Sequence, residues 1–167
     1  MSRLKKYTIT GILFVIIAGT IAHFVYQWTG SSFLAGLFFP VNESTWEHMK
    51  LVYFPMLLYG IFMNGRLKKE YPAVKSALSA GILLGTFLIP VIFYTYSGIL
   101  GRNYLSLDIA TFVLSILLAF FAVYRLTLSG SLASSASWLG WLVAFIGLGF
   151  LLFSYMPPAI GLFRNPS

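Results

Sequence analysis

The sequence predicts an all-α fold: an integral membrane bundle of about five transmembrane helices that forms a single transmembrane domain over residues 1–167. Hydrophobic residues make up 59% of the chain and charged residues only 9%, whereas soluble domains carry about 25% charged residues. Long apolar runs recur along the chain, and most of the basic residues lie beside those runs. Both patterns are typical of helices that cross a bilayer.

The individual spans follow from the breaks between the apolar runs. The first span, residues 7–28, follows a basic N-terminal segment and is longer than the apolar region of a signal peptide, so we interpret it as an uncleaved span. Glycine, proline and serine interrupt the later runs at residues 65–72, 97–103 and 129–135. The remaining spans are therefore predicted at residues 43–64, 73–97, 106–128 and 135–156.

A shorter apolar segment, residues 32–40, precedes the second span. As a helix it would rise only about 14 Å, which is too short for a hydrocarbon core of about 30 Å. We expect a re-entrant or interfacial segment there. Pro55 and Pro90 fall inside the second and third spans, where they are expected to kink the helices.

Lysine and arginine are distributed unequally between the two ends of the predicted spans. With the N-terminus in the cytoplasm, the cytoplasmic ends hold Arg3, Lys5, Lys6, Arg66, Lys68, Lys69, Lys75 and Arg125, and the outer ends hold Lys50, Arg102 and Arg164. The positive-inside rule therefore predicts a cytoplasmic N-terminus and, with five spans, an extracytoplasmic C-terminus. The same placement explains most of the net charge of +7, so the expected partner is the lipid bilayer and no nucleic acid.

Ionisable side chains concentrate at the outer ends of three spans. His23 precedes Trp28 by five residues, about 7–8 Å of helix, and His48 and Asp108 lie near the outer ends of the second and fourth spans. Because ionisable groups inside a bilayer are costly and normally face the bundle interior, we expect one buried cluster that opens outward. Its core is His23, Glu43, Glu47, His48 and Asp108, joined by Ser44 and Trp46, with Asn42, Lys50 and Arg102 at its rim.

Two helix-capping registers offer a purely structural explanation for the two glutamates. With Ser44 as N-cap, Glu47 occupies the third helical position and forms a capping box, which leaves Glu43 outside the helix. With Asn42 as N-cap, Glu47 lies beyond the first turn. One glutamate therefore has no capping function in either register.

Three functions fit the predicted cluster. Two histidines and a carboxylate suit a divalent metal such as zinc, with His23, His48 and Glu47 as ligands and Glu43 or Glu47 as the catalytic carboxylate of a metal-assisted intramembrane hydrolase. Alternatively, a carboxylate beside a histidine can relay protons in a small proton- or ion-coupled transporter or a transporter subunit. The third function is a non-catalytic scaffold or binding subunit, with a membrane-protein partner or a second copy of the chain.

The segment FFPVNESTWEHMKLVYFP, residues 38–55, closely resembles the signature of a family of small prokaryotic multi-pass membrane proteins with no assigned function. By position, the resemblance implies that the residues characteristic of this family are Asn42, Glu43, Ser44, Trp46, Glu47, His48 and Lys50. It also implies a prokaryotic cytoplasmic membrane as the location. It implies no substrate or activity.

Overall fold

The computed structural model describes residues 2–166, and its regular secondary structure in that range is entirely helical. The helices are α1 (Arg3–Trp28), α2 (Phe33–Phe38), α3 (Thr45–Leu67), α4 (Val74–Leu100), α5 (Leu105–Ser129) and α6 (Ala136–Phe153). Short 3-10 turns cover Ala133–Ser135, before α6, and Gly161–Phe163, in the C-terminal tail.

The helix ends follow local capping chemistry. Ser2 caps the first turn of α1, where its hydroxyl oxygen accepts a hydrogen bond from the backbone N–H of Lys5. Both α4 and α5 end at a glycine in the left-handed conformation, Gly101 and Gly130, with φ of 73° and 68°. Glycine is favoured there because it has no Cβ to clash in that conformation.

Four segments are long and apolar enough to cross a membrane within residues 2–166: α1, α4, α5 and Ala133–Phe153, which includes α6. These coincide with the predicted first, third, fourth and fifth spans. The helix over the predicted second span, α3, is not in this group, and it begins at Thr45 rather than at residue 43. It carries ionisable residues near both of its ends, including Lys50 and Arg66.

The core of the bundle is built around α3, which contacts α1, α4, α5 and α6. Small residues permit the closest helix approaches, as is usual where helices pack without water. At Gly81 in α4, an added Cβ would overlap the side chain of Val123 and lie 3.1 Å from the carbonyl oxygen of Ala119, both in α5. The α4–α5 interface therefore depends on a residue without a side chain at this position.

The two chain termini lie at opposite ends of the bundle. Near the start of α1, the Arg3 guanidinium lies 3.5 Å from the carboxylate of Glu70, which follows α3. At the other end, Pro166 in the C-terminal tail lines the same cavity as His23, which is near the end of α1. The short helix α2 also packs at this second end, against α1 and α6.

Candidate functional site

The loop before α3 adopts the Ser44 capping register. The Ser44 hydroxyl oxygen accepts a hydrogen bond of 3.4 Å from the backbone N–H of Glu47, and Asn42 Oδ1 accepts one of 2.8 Å from the backbone N–H of Ser44. Glu43 consequently lies outside the helix, between two residues that organise the cap. Its carboxylate is free to interact with side chains from other segments.

Glu43 lies between the two histidines of the chain. Its carboxylate oxygens are 3.9 Å from Nε2 of His23 and 3.4 Å from Nε2 of His48, and the two imidazole rings have centroids 5.4 Å apart. One ligand atom from each of these residues falls within 4.8 Å of the other two, and this is the metal-competent group found among residues 2–166. The hydrogen bond with His48 holds the pKa of Glu43 below its usual value, against the opposing effect of partial burial. The carboxylate is therefore ionised at neutral pH, the form that binds cations.

The environment of each histidine leaves a ring nitrogen available as a ligand. In His48, Nδ1 donates a hydrogen bond of 3.0 Å to the carbonyl oxygen of Ser44, and Nε2 donates to the Glu43 carboxylate at 3.4 Å. A metal ion at this position would take the place of the Nε2 proton. Metal-binding histidines usually donate their second ring nitrogen in this way. In His23, Nδ1 is buried and has no hydrogen-bond partner in the described part of the chain.

A cavity of about 650 Å³ adjoins these three residues. Its volume lies within the range of small-molecule sites, about 300–1,000 Å³. The walls are mainly apolar side chains from α1, α3, α4 and α5, among them Leu51, Ile89, Phe93 and Phe112. The cavity therefore combines a group of ionisable side chains, its polar corner, with a largely apolar lining.

Asp108 in the first turn of α5 lines the same cavity. Its carboxylate accepts a hydrogen bond from the hydroxyl of Tyr96 in α4, which ties the carboxylate to the cavity wall. His23, Glu43, His48 and Asp108 therefore all line one cavity. These four groups come from α1, the loop before α3, α3 and α5.

The structure places Glu47 and Lys50 in a separate ion pair, away from the histidines. Lys50 Nζ lies 2.7 Å from Glu47 Oε2, and the two side chains are 0% and 2% exposed. Lys50 also donates hydrogen bonds to the hydroxyl of Ser154 and to the carbonyl oxygen of Gly36. Glu47 accepts a further hydrogen bond of 2.9 Å from the backbone N–H of Val41. The expectations that Glu47 is a metal ligand and that Lys50 lies at the rim of the cluster therefore need correction.

Family comparison assigns the chain to a group with no established activity. A family of unknown function (DUF6512) matches residues 1–166. The chain belongs to this family. No curated protein and no solved structure shows significant similarity to it.

The remaining predicted members of the cluster contribute to packing, to helix capping or to a surface contact. Trp46 is buried and packs against the rings of Phe150 and Phe163, with centroid distances of 4.6 and 4.8 Å, so it joins α3 to α6 and the C-terminal tail. Asn42 and Ser44 organise the helix cap described above. Arg102 is exposed and stacks on Tyr104.

Sequence reasoning missed two residues of these sites, Tyr96 and Ser154. Tyr96 is one of ten tyrosines and has no distinguishing motif. Ser154 lies 104 residues from Lys50 along the chain, and serine is common near helix ends.

Proposed function

We propose that this chain is a multi-pass membrane protein whose His23–Glu43–His48 group binds zinc and hydrolyses an acyl bond in a substrate held by the adjoining cavity. The main support is the convergence of two imidazoles and a carboxylate, from three separate segments, at the polar corner of a largely apolar cavity. Two histidines and a glutamate form a ligand set of hydrolytic zinc enzymes, in which the fourth position binds water.

The site has the flexibility that metal binding requires. Zinc–ligand distances of about 2.0–2.2 Å place tetrahedral ligands roughly 3.3–3.5 Å apart. The three atoms here, within 4.8 Å of one another, would have to approach by up to about 1.5 Å. The Glu43 carboxylate is already 3.4 and 3.9 Å from the two histidine nitrogens, and its side chain is 62% exposed and lies in a loop, so much of the remaining approach must come from the two imidazoles.

Asp108 takes the role of general base in this proposal, in place of Glu47. A zinc ion held by His23, Glu43 and His48 would lower the pKa of a bound water to about 7, and the Asp108 carboxylate would accept the proton that this water releases. The substrate carbonyl carbon would gain the water oxygen and lose its bond to the alcohol or amine. Asp108 would then return the proton to that leaving group, so the products would be a carboxylic acid and an alcohol or amine.

We also propose that α3 crosses the membrane with the four apolar helices, so that the bundle has five spans. The positions of the termini at opposite ends of the bundle support an odd number of crossings. The polar groups of α3 face bundle partners: the Glu47–Lys50 pair is buried and His48 lines the cavity. We place the N-terminus in the cytoplasm of a prokaryotic cell and α2 as a non-spanning segment at the outer end.

The absence of cysteine makes this topology directly testable. Single cysteines at Ser106 and Ser134, both exposed and at opposite ends of the bundle, provide two labelling sites. In intact cells we expect a membrane-impermeant maleimide to label Ser106→Cys, and to label Ser134→Cys only after the membrane is permeabilised. The reverse pattern, or labelling of both sites in intact cells, would contradict the orientation.

Metal analysis of the purified protein tests the zinc site. We expect wild-type protein, purified without chelator, to retain zinc, and His48→Ala and Glu43→Gln to lose it. Removing a ligand should lower zinc affinity at least as much as removing a residue that orients a ligand, about 10–100-fold. The matched control is Glu70→Gln, which alters a glutamate at the opposite end of the bundle and should bind zinc like wild type.

Two results would count against the zinc site. One is wild-type protein that takes up no zinc even when zinc is supplied. The other is equal zinc content in His48→Ala, Glu43→Gln and Glu70→Gln. Either result would leave proton handling as the function favoured by the same residues around the cavity.

A further inference from the structure

The lining of the cavity is exposed to the surroundings at two places. Most of its lining residues on α3 and α4 are buried or half-buried, but Thr20 and Phe24 on α1 and Leu105 and Ile109 on α5 are exposed. Each of these two pairs is spaced by four residues, so each lies on one face of its helix. Glu43, at the polar corner, is also exposed. One opening is therefore lateral, between α1 and α5, and the other lies at the end of the bundle.

The lateral opening is a local separation of two helices that pack closely elsewhere. Closer to the N-terminus of α1, an added Cβ at Gly11 would lie 2.5 Å from the ring of Phe120, and one at Gly19 would lie 2.6 Å from the ring of Phe112. Gly19 and Phe112 are the first of these positions to line the cavity, and the facing positions nearer the outer end line it too, among them His23 in α1 and Asp108 in α5. The opening therefore begins where the close contact between α1 and α5 ends.

The depth of the lateral opening places it against hydrocarbon in the proposed membrane arrangement. Thr20 lies eight residues before Trp28, the last residue of α1, which corresponds to about 12 Å of helix. Ile109 lies four residues after Leu105, the first residue of α5, about 6 Å. An opening at this depth, with Phe24, Leu105 and Ile109 around it, is accessible to lipid chains rather than to water.

From these observations we propose that the occupant of the cavity is the acyl chain of a membrane lipid, which enters sideways between α1 and α5 and brings its ester or amide carbonyl to the His23–Glu43–His48 corner. The apolar interior matches a hydrocarbon chain, and the polar corner matches the head of an amphiphile. Binding of the acyl chain in the cavity does not depend on metal, whereas the position of the carbonyl group rests on the proposed zinc site.

Photocrosslinking in lipid nanodiscs tests the lateral route. The probe is a phosphatidylcholine with a diazirine on one acyl chain, and the crosslinked residues are identified by mass spectrometry. In wild type we expect crosslinks to be enriched at the interior residues Leu51, Ile89 and Phe112. In Thr20→Trp, an indole fills the lateral opening, and interior crosslinking should fall about tenfold, which corresponds to about 1.4 kcal/mol of binding free energy.

The control variant is Ile21→Trp, which adds an indole at the same depth on the same helix, at an exposed position that does not line the cavity. Ile21→Trp should crosslink like wild type. Ile109→Trp blocks the opening from α5 and should reproduce the effect of Thr20→Trp. Crosslinks spread evenly over all lipid-facing helices, or interior crosslinks unchanged in both blocked variants, would overturn the inference.

Zinc analysis of the same samples separates this inference from the proposed function. We expect Thr20→Trp to retain zinc while losing interior crosslinks. Interior crosslinks in a wild-type protein that binds no zinc would support the acyl-chain cavity and contradict the metal site. Retained zinc without interior crosslinks would contradict the acyl-chain cavity alone.

Discussion

Replacing Lys50 with methionine is expected to lower the free energy of unfolding by about 3–5 kcal/mol. The substitution leaves the Glu47 carboxylate buried without its 2.7 Å partner and removes the donor that serves Ser154 and the Gly36 carbonyl oxygen. Ser154 caps the C-terminal end of α6 and Gly36 lies in α2, so the loss should also loosen the contacts of both helices with α3. Denaturation of the detergent-solubilised protein, followed by tryptophan fluorescence, measures the change.

A double variant distinguishes two causes of the lower stability, the unpaired charge of Glu47 and the lost packing of the Lys50 side chain. In Lys50→Met with Glu47→Gln, no buried charge remains, and the amide oxygen can still accept the hydrogen bond from the Val41 N–H. Much of the lost stability should therefore return, because removing both charges of a buried pair costs far less than removing one. The control, Lys69→Met, removes an exposed lysine and should change stability little. Equal stability of Lys50→Met and Lys69→Met would contradict the importance of the ion pair.

Changing Asp108 to asparagine is expected to reduce hydrolysis of an acyl ester by about 10²–10⁴-fold, the usual contribution of a general base. Asparagine keeps the size of the side chain and can still accept the hydrogen bond from Tyr96, but it cannot take a proton from the zinc-bound water. Turnover of a fluorogenic acyl ester by the purified protein in mixed micelles measures the effect. The zinc content should stay at the wild-type level, because Asp108 is not one of the three ligands.

Two further variants define the role of Asp108. Tyr96→Phe removes one hydrogen bond to the carboxylate but leaves the base in place, so its rate should fall much less than that of Asp108→Asn. Glu70→Gln makes the same acid-to-amide change at the opposite end of the bundle and should leave the rate unchanged. Zinc-loaded Asp108→Asn with wild-type turnover would contradict the general-base assignment.

The helical membrane character of the chain was predictable because it depends on local properties. The length of the apolar runs and the residues that interrupt them placed four helices where membrane-length apolar helices are found. The second predicted span was harder to assign, because α3 is apolar in its middle but carries a buried ion pair whose remaining hydrogen bonds come from distant segments. Whether α3 crosses the membrane depends on those partners, and hydropathy alone does not decide it.

The candidate site was predicted in part. The convergence of His23, His48 and Asp108 followed from their similar depth in different spans, combined with the cost of isolated ionisable groups in a bilayer. The sequence did not show whether Glu43 or Glu47 joins the histidines, because each of the two capping registers leaves a different one of these glutamates without a capping function. Tyr96 was not found because a single tyrosine in an aromatic-rich chain carries no pattern.

The sequence by itself determined that this chain forms long apolar helices, with its two histidines and three of its four acidic residues near one end, because composition and spacing are properties of short segments. Only the tertiary structure decided that Glu43 joins the histidines while Glu47 pairs with Lys50. The reason is that Lys50 requires several buried acceptors, and these are assembled from Glu47, α2 and α6 only when the bundle is packed. Glu47 is held in that ion pair, and Glu43 is the glutamate whose carboxylate lines the cavity.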